Sequence, residues 1–255
     1  MHIAVDIGNT RLKCRRYFPD GSEDLVLHFP LCLEKKHLEE LIPAVDICPN
    51  PLYWLVAQTG TFPWQELQSK IHKLRPLDEF QIITYRHIPL KIDVDFPEKV
   101  GIDRLLAAYA AVKEYGDVPM LIVDAGSAIT VDVVRNQTFC GGAILPGLTA
   151  LSETYPKISK KLPRPFPDPL NDITGLVYPG KNTESAIYNG LYWGTVGAIR
   201  QFYEMLSSHE KNVLLVLTGG YAYCLEFGLD CVILPPRLKY HDYLVLEGIH
   251  QCFGG

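Results

Sequence analysis

The strongest constraint on this chain is a pattern that occurs twice. Near the start, Ile3-Ala4-Val5-Asp6-Ile7-Gly8-Asn9-Thr10-Arg11-Leu12-Lys13 is a β-branched, apolar run that stops at a carboxylate and a glycine, then resumes an extended pattern. The stretch Leu121-Ile122-Val123-Asp124-Ala125-Gly126-Ser127-Ala128-Ile129-Thr130-Val131-Asp132-Val133-Val134 repeats it. Short apolar runs bounded by turn residues read as buried strands. A glycine there lets the chain turn tightly and approach a ligand closely. Each copy predicts strand, turn, strand, and two copies suggest an internal duplication. A third glycine turn, Thr218-Gly219-Gly220, follows the apolar run Val213 to Leu217. The first turn offers backbone N–H groups, an amide, a hydroxyl and Lys13 to an anion, while Asp6 at the strand end suits water or a metal ion. For the first copy alone, an ordinary hairpin with Asp6 and Asn9 in turn bonds is the competing reading.

Around the hairpins, strands alternate with helices. Leu25–Phe29, Leu52–Ala57 and Gln81–Thr84 read as strands, and Glu34–Ile42 and Trp64–Leu74 as helices. This alternation argues for an α/β layer fold. Leu105–Val112, rich in alanine and leucine, is a helix, so Asp103 and Arg104 fall near its start. There Asp103 either complements the helix N-terminus or accepts a proton from an alcohol. Arg104 is then either a surface residue or a planar fork for a carboxylate-bearing substrate. The polar turn at Tyr115–Pro119 marks a boundary, giving domains over 1–116 and 117–255.

In the second half, Cys140–Leu148 is glycine-punctuated and reads as a tight turn between strand and helix, or as a close approach to a ligand. Lys157–Pro169 is irregular and cationic: a solvated connection, or a flap beside an anionic pocket. Thr183 reads as the N-cap of the longest helix, Glu184–Leu206. On that helix Ala186, Gly190, Gly194 and Gly197 share one face. A glycine there costs roughly 1 kcal/mol relative to alanine, so the stripe implies another backbone close by, from Ala107, Ala108 and Ala111 or from a second subunit. Tyr243–Ile249 forms a last helix.

Composition narrows the classes. The net charge of −5 leaves no nucleic-acid footprint in bulk. No apolar run is long enough to span a membrane, and Asp6 breaks the only N-terminal candidate for a signal segment. Seven scattered cysteines, an odd number without a CxxC pair, fit reduced thiols in cytoplasm rather than a zinc cage or a disulfide framework. His28, His37, His72 and His87 lack metal-ligand spacing. The absence of GxxxxGK[ST] argues against a P-loop kinase, and that of GxGxxG against a Rossmann dehydrogenase.

Six motifs in order, Asp6–Thr10, Gly101–Arg104, Asp124–Thr130, Gly141–Leu148, Asn182-Thr183 and Thr218–Gly220, span nearly the whole chain. In that order they resemble the type III pantothenate kinase family, within the acetate and sugar kinase, Hsp70 and actin superfamily. The resemblance implies two duplicated actin-like (ribonuclease H-like) domains with a nucleotide cleft between them. It implies transfer of phosphate from ATP to pantothenate, giving 4′-phosphopantothenate, the first step of coenzyme A biosynthesis. By the same resemblance Asp103 is the catalytic proton acceptor, and Gly101, Ile102, Asp103, Arg104 and Thr183 contact pantothenate. Asp6, Gly8, Asn9, Thr10, Lys13, Ser127 and Gly219 border ATP. Mg²⁺ arrives with ATP, at Asp6 directly or through water, and Asp124 holds a monovalent cation, K⁺ or NH₄⁺. It further implies a cytoplasmic homodimer, with the last helix closing the second domain. Two departures stand out: Ser127 where the family commonly has threonine, and Asp95-Phe96 where many members place a tyrosine against the substrate. Another kinase or phosphohydrolase of the same superfamily is the nearest alternative, followed by a non-catalytic regulatory member.

Overall fold

The computed structural model describes residues 1–42, 50–163, 178–230 and 237–253. In chain order the first half contains β1 (His2–Ile7), β2 (Arg11–Tyr17), β3 (Leu27–Pro30), α1 (Lys35–Leu41), β4 (Tyr53–Gln58), α2 (Trp64–His72), β5 (Glu79–Ile82), β6 (Lys91–Ile92) and α3 (Ile102–Tyr115). The rest contains β7 (Met120–Ala125), β8 (Ala128–Arg135), β9 (Thr138–Pro146), α4 (Leu148–Ser152), α5 (Tyr155–Ile158), α6 (Thr183–Ser207), β10 (Leu214–Thr218), α7 (Ala222–Asp230), β11 (Leu238–Tyr240) and α8 (Leu244–Gln251).

The duplication read from the two hairpins extends to the sheets. β1 pairs antiparallel with β2 and parallel with β4, and the sheet runs β3-β2-β1-β4-β5. β7 pairs antiparallel with β8 and parallel with β10, and its sheet runs β11-β10-β7-β8-β9, with β6 added at the β9 edge. The strand plan of the first sheet therefore recurs strand for strand in the second. The burial patterns explain the placement. β1 and β7 are covered on both faces, as apolar runs at the centre of a layered sheet must be. β8 beside β7 carries exposed or half-buried residues at both ends and between its buried ones, with one bulge between Asp132 and Val134.

Against the expected division at residue 116, packing groups the chain as Met1–Leu90, Asp95–Ala110 and Leu244–Gly255 in a first unit, and Lys91–Val94 and Ala111–Tyr243 in a second. The first core gathers Ile3, Val5, Ile7, Leu12, Leu41, Trp54, Leu67 and Ile71 from strands and helices alike. The second gathers Leu121, Val123, Ile129, Tyr192, Ile199, Leu215 and Leu217. α8, expected in the second domain, packs in the first unit. Gly248 lets it lie directly on the backbone of Leu106 in α3.

Three local readings change. The glycines of Cys140–Leu148 sit inside β9 rather than in a turn, and only Gly147 takes the strand-to-helix position, as N-cap of α4. Asn182, not Thr183, caps α6: its extended backbone lets Oδ1 accept the Ser185 N–H at 2.8 Å, leaving Thr183 as the first helical residue. Gly194 and Gly197 are exposed on α6, and apart from their own helical backbone no heavy atom among the described residues lies within 4 Å of where a Cβ would stand. The cationic segment is described only to residue 163; its remainder, from Arg164, lies outside the described residues. The described cysteines at 14, 32, 140, 224 and 252 are free thiols. No helix among the described residues is long and apolar enough to cross a membrane.

Candidate active site

In the first unit the site is built on the β1–β2 hairpin. Strand pairing sets Asp6 opposite Lys13 and Ile7 opposite Leu12. Directly opposed residues share a face, so the Lys13 ammonium reaches the Asp6 carboxylate, Nζ to Oδ2 3.8 Å. Asp6 is only 7 % exposed. A carboxylate that covered needs compensating charge or hydrogen bonds, and Lys13 supplies charge. The turn closes with the Gly8 N–H donating to the Arg11 carbonyl at 3.1 Å. Asn9 and Thr10 stand exposed at its tip.

Asp103 belongs to the same unit, in the first turn of α3. Its Oδ1 accepts the Arg104 N–H at 2.9 Å, so the helix-start role holds. That role does not exhaust the residue. The carboxylate folds back over Gly101, where an added Cβ would come within 2.5 Å of Oδ1. Burial raises the Asp103 carboxyl above its ordinary value, while the Arg104 N–H, the Arg104 guanidinium and the Lys13 ammonium restrain the rise. A carboxylate made more basic by desolvation and fixed by a backbone donor is equipped to take up a proton. Lys13 thus acts on both Asp6 and Asp103. Ile102 and Arg104 are half-buried beside them. Phe96 is 56 % exposed, with the Lys99 ammonium 4.4 Å from its ring centre.

In the second unit the equivalent hairpin is β7–β8. Asp124 stands opposite Thr130 on β8 and is in register with Thr218 on β10. Gly219, at φ +96°, turns the chain immediately after β10. An added Cβ would overlap Asp124 Oδ1 and crowd the Ala125 backbone, so only glycine lets this turn close over the carboxylate. The Tyr221 N–H then donates to the Ala125 carbonyl at 2.9 Å. Gly126 and Ser127 form the hairpin turn, and Gly147 lies against their carbonyls. Thr183 is exposed at the start of α6.

The structure thus brings Asp6, Gly8, Lys13, Gly101, Asp103 and Arg104 into one unit, and Asp124, Ser127, Gly219 and Thr183 into the other. The donors present are oxygens, the chemistry of hard cations. Among the described residues no group of three or more His, Cys, Asp or Glu could hold a metal ion. A divalent ion carried on nucleotide phosphates needs few protein ligands, because Mg²⁺ keeps much of its water. For a monovalent ion the oxygens at the second hairpin, with Asp124 among them, are a suitable set.

One element escaped the sequence reading. Gln58-Thr59-Gly60 follows β4 and packs on the first turn: the Thr59 and Gly60 N–H groups donate to the Ile7 carbonyl at 3.0 and 2.9 Å. An apolar run followed by Thr-Gly was visible there, as it was at Thr218-Gly219.

A sequence profile of the type III pantothenate kinase family matches residues 2–205. A type III pantothenate kinase of Flavobacterium johnsoniae is 32 % identical over 264 residues, covering 99 % of this chain and 97 % of that protein. One from Rhodopirellula baltica is 37 % identical over 255 residues, covering 88 % and 89 %. Among solved structures, a protein from Sinorhizobium meliloti described as a 2-dehydro-3-deoxygalactonokinase superposes with a TM-score of 0.61 at 14 % identity, covering 99 % of this chain and 98 % of that one. At that identity the likeness speaks for the fold, a duplicated actin-like one, and not for the substrate.

Proposed function

The chain belongs to the type III pantothenate kinase family and phosphorylates pantothenate with ATP in coenzyme A biosynthesis, and we propose that Asp103 accepts the proton of the attacking hydroxyl. The hydroxyl oxygen bonds to the γ-phosphorus, the bond to the ADP oxygen breaks, and the proton passes to Asp103. Catalysis of this reaction is mostly positioning and charge stabilisation. On this reading the first turn, Gly8, Asn9 and Thr10, presents backbone and side-chain donors to the phosphates, and Lys13 adds a positive charge. Gly101, Ile102, Arg104 and Thr183 hold pantothenate, with the Arg104 fork on its carboxylate. Ser127 and Gly219 border the nucleotide. The family works with ATP and a divalent metal. We assign the metal to Mg²⁺ near Asp6, where it would neutralise phosphate charge, and a K⁺ or NH₄⁺ ion to Asp124.

The observation that carries the assignment of roles is the grouping of Asp6, Lys13 and Asp103 in one unit, with burial making Asp103 more basic. The test is phosphate transfer from ATP to pantothenate, with and without potassium, by the unaltered protein and by Asp103→Asn. Loss of a positioned base should lower kcat by about 10²–10⁴, with the ATP KM little changed. An Asp103→Asn enzyme that turns over at the unaltered rate would remove Asp103 from the role.

We further propose that the protein is a cytoplasmic homodimer joined along α6. The exposed Ala186, Gly190 and Gly194 border a groove of about 850 Å³ whose wall includes Tyr178, Pro179 and Trp193, and Gly197 stands exposed on the same helix. Open glycine positions in a helix suit the close approach of another backbone. Light scattering should give twice the chain mass, and Gly194→Arg should halve it; an unaltered protein that runs at the single-chain mass sinks the proposal.

A further inference from the structure

The turn after β4 makes contacts that its own strand does not require. Thr59 and Gly60 both direct backbone N–H groups to one acceptor, the carbonyl of Ile7, at 3.0 and 2.9 Å. The Thr59 hydroxyl lies 3.4 Å from the same oxygen. A carbonyl oxygen has two lone pairs, so two N–H donors define its direction. Gly60 also lies against the next peptide. A Cβ on it would overlap the Gly8 carbonyl oxygen and stand 2.6 Å from the Gly8 carbonyl carbon and 3.1 Å from the Asn9 nitrogen. The peptide that opens the first turn therefore rests on residue 60. Gln58 braces this seat from behind. Its side-chain amide donates to the Gly60 carbonyl at 3.1 Å, and its Oε1 accepts the Trp64 N–H at 3.2 Å. Trp64 begins α2, whose Leu67 and Ile71 are fully buried in the first core.

We propose that Gln58, Thr59 and Gly60 are positioning residues for phosphoryl transfer, fixing the peptides of Ile7, Gly8 and Asn9 so that the turn meets the nucleotide phosphates in one orientation. The inference rests on the reading of the first hairpin as the phosphate turn. Backbone donors stabilise transferring charge only when they are held in place beforehand. A displacement of about 1 Å can cost about 10²-fold in rate. The second unit uses the same device, since Gly219 after β10 closes onto Asp124 and Ala125 as Gly60 after β4 closes onto Gly8. Neither Gln58 nor Gly60 needs to touch ATP for this role.

The test varies ATP and pantothenate separately in steady-state assays of the full chain carrying Gly60→Ala, Gln58→Met or Lys13→Ala. Gly60→Ala should lower kcat/KM for ATP about 100-fold, with a raised ATP KM. Gln58→Met, which loses one donor and leaves the Trp64 N–H without its acceptor, should lower it about 10-fold. The pantothenate KM should stay within about twofold, and the pH dependence of kcat should not move. General destabilisation would reduce the active fraction without raising the KM for ATP alone, so the split separates positioning from folding. If Gly60→Ala does not fold, Gln58→Met decides. An ATP KM unmoved in Gly60→Ala and Gln58→Met but raised in Lys13→Ala overturns the inference. An ATP KM unmoved in all three removes the phosphate-turn reading and the inference with it.

Discussion

The two hairpins are built on one backbone plan and differ in what surrounds their aspartates. In the first unit Asp6 has Lys13 across the hairpin and Ala57 on the parallel neighbour. In the second, Asp124 has Thr130 and Thr218 at the same two positions. The first turn leaves four residues between the last paired positions, Ile7 and Leu12, and the second leaves three between Ala125 and Ile129. A cation and a longer donor-rich tip suit an anion. A carboxylate between two hydroxyl-bearing residues, under a shorter turn, suits a cation. The same strand ends occur twice, and a few side chains at register-matched positions give them different charge surroundings, the basis of the opposite ligands proposed for them.

The largest effects should come from removing the charge at each hairpin. Lys13→Ala takes away a charged contact worth about 1.5–3 kcal/mol, so the ATP KM should rise about 10- to 100-fold. Added potassium should not restore it, because a monovalent ion at the second hairpin does not replace the lysine. Asp124→Asn should do the reverse: the ATP KM at saturating potassium changes less, while the potassium titration flattens or shifts to higher concentration. Titrating potassium against both variants distinguishes the two hairpins. Equal potassium responses in Lys13→Ala and Asp124→Asn would erase the proposed difference in charge preference.

Much of this plan was legible because it is local. An apolar run ending in Asp-x-Gly announces a strand end and a turn without reference to the rest of the fold, and both hairpins form where that pattern occurs. The helix at residues 105–112 and the long helix at 184–206 were likewise set by composition and periodicity, and each extends slightly beyond its expected ends. What escaped depends on contacts distant in sequence. Gly60 is required by a carbonyl some fifty residues away, and no spacing rule reports that. The β9 glycines looked like punctuation because their partner strand was unknown; paired with β8, Gly142 faces Asp132 in the ladder. At the start of α6 two adjacent residues, Asn182 and Thr183, both favour the cap position in sequence, and backbone angles decide for Asn182. Asp103 is readable as two roles at once; the structure shows the helix-start hydrogen bond, and the burial that makes the carboxyl more basic is compatible with the proton uptake proposed for it.

The smallest expected effect concerns acid, and it sets the first unit apart again. His2 on β1 and His250 on α8 stack, with Nε2 and Nδ1 2.8 Å apart. Tyr17 stacks on His250 with 4.0 Å between ring centres, and Phe253 packs beside His2. Arg15, Glu23 and Glu247 lie alongside, with Arg15 2.6 Å from Glu247 and 2.9 Å from Glu23. Burial lowers His2 to about 4, helped by His250 and the chain's amino group. Burial also lowers His250, against the pull of Glu247 and Glu23. A histidine lowered in the folded state contributes stability that is complete above the ordinary value near 6.5 and is lost as pH falls toward the folded value. Asp103 has the opposite sign: its raised value favours the fold at low pH and withdraws that support as pH rises. Both histidines are partly exposed, so solvent screening trims the effect. Between pH 7 and 5 the melting temperature should fall by a few degrees, since each kcal/mol shifts a chain of this size by roughly 2–4 °C. The double variant His2→Phe with His250→Phe keeps rings in the stack and removes the protons, so its melting curve should flatten over that window. Hydrogen exchange at pH 5 should show early opening in α8 and β1 while β7 and β8 stay protected. Exchange that rises first in β7 and β8, or a double variant with the unaltered slope, would show that the acid response does not arise at the histidine pair.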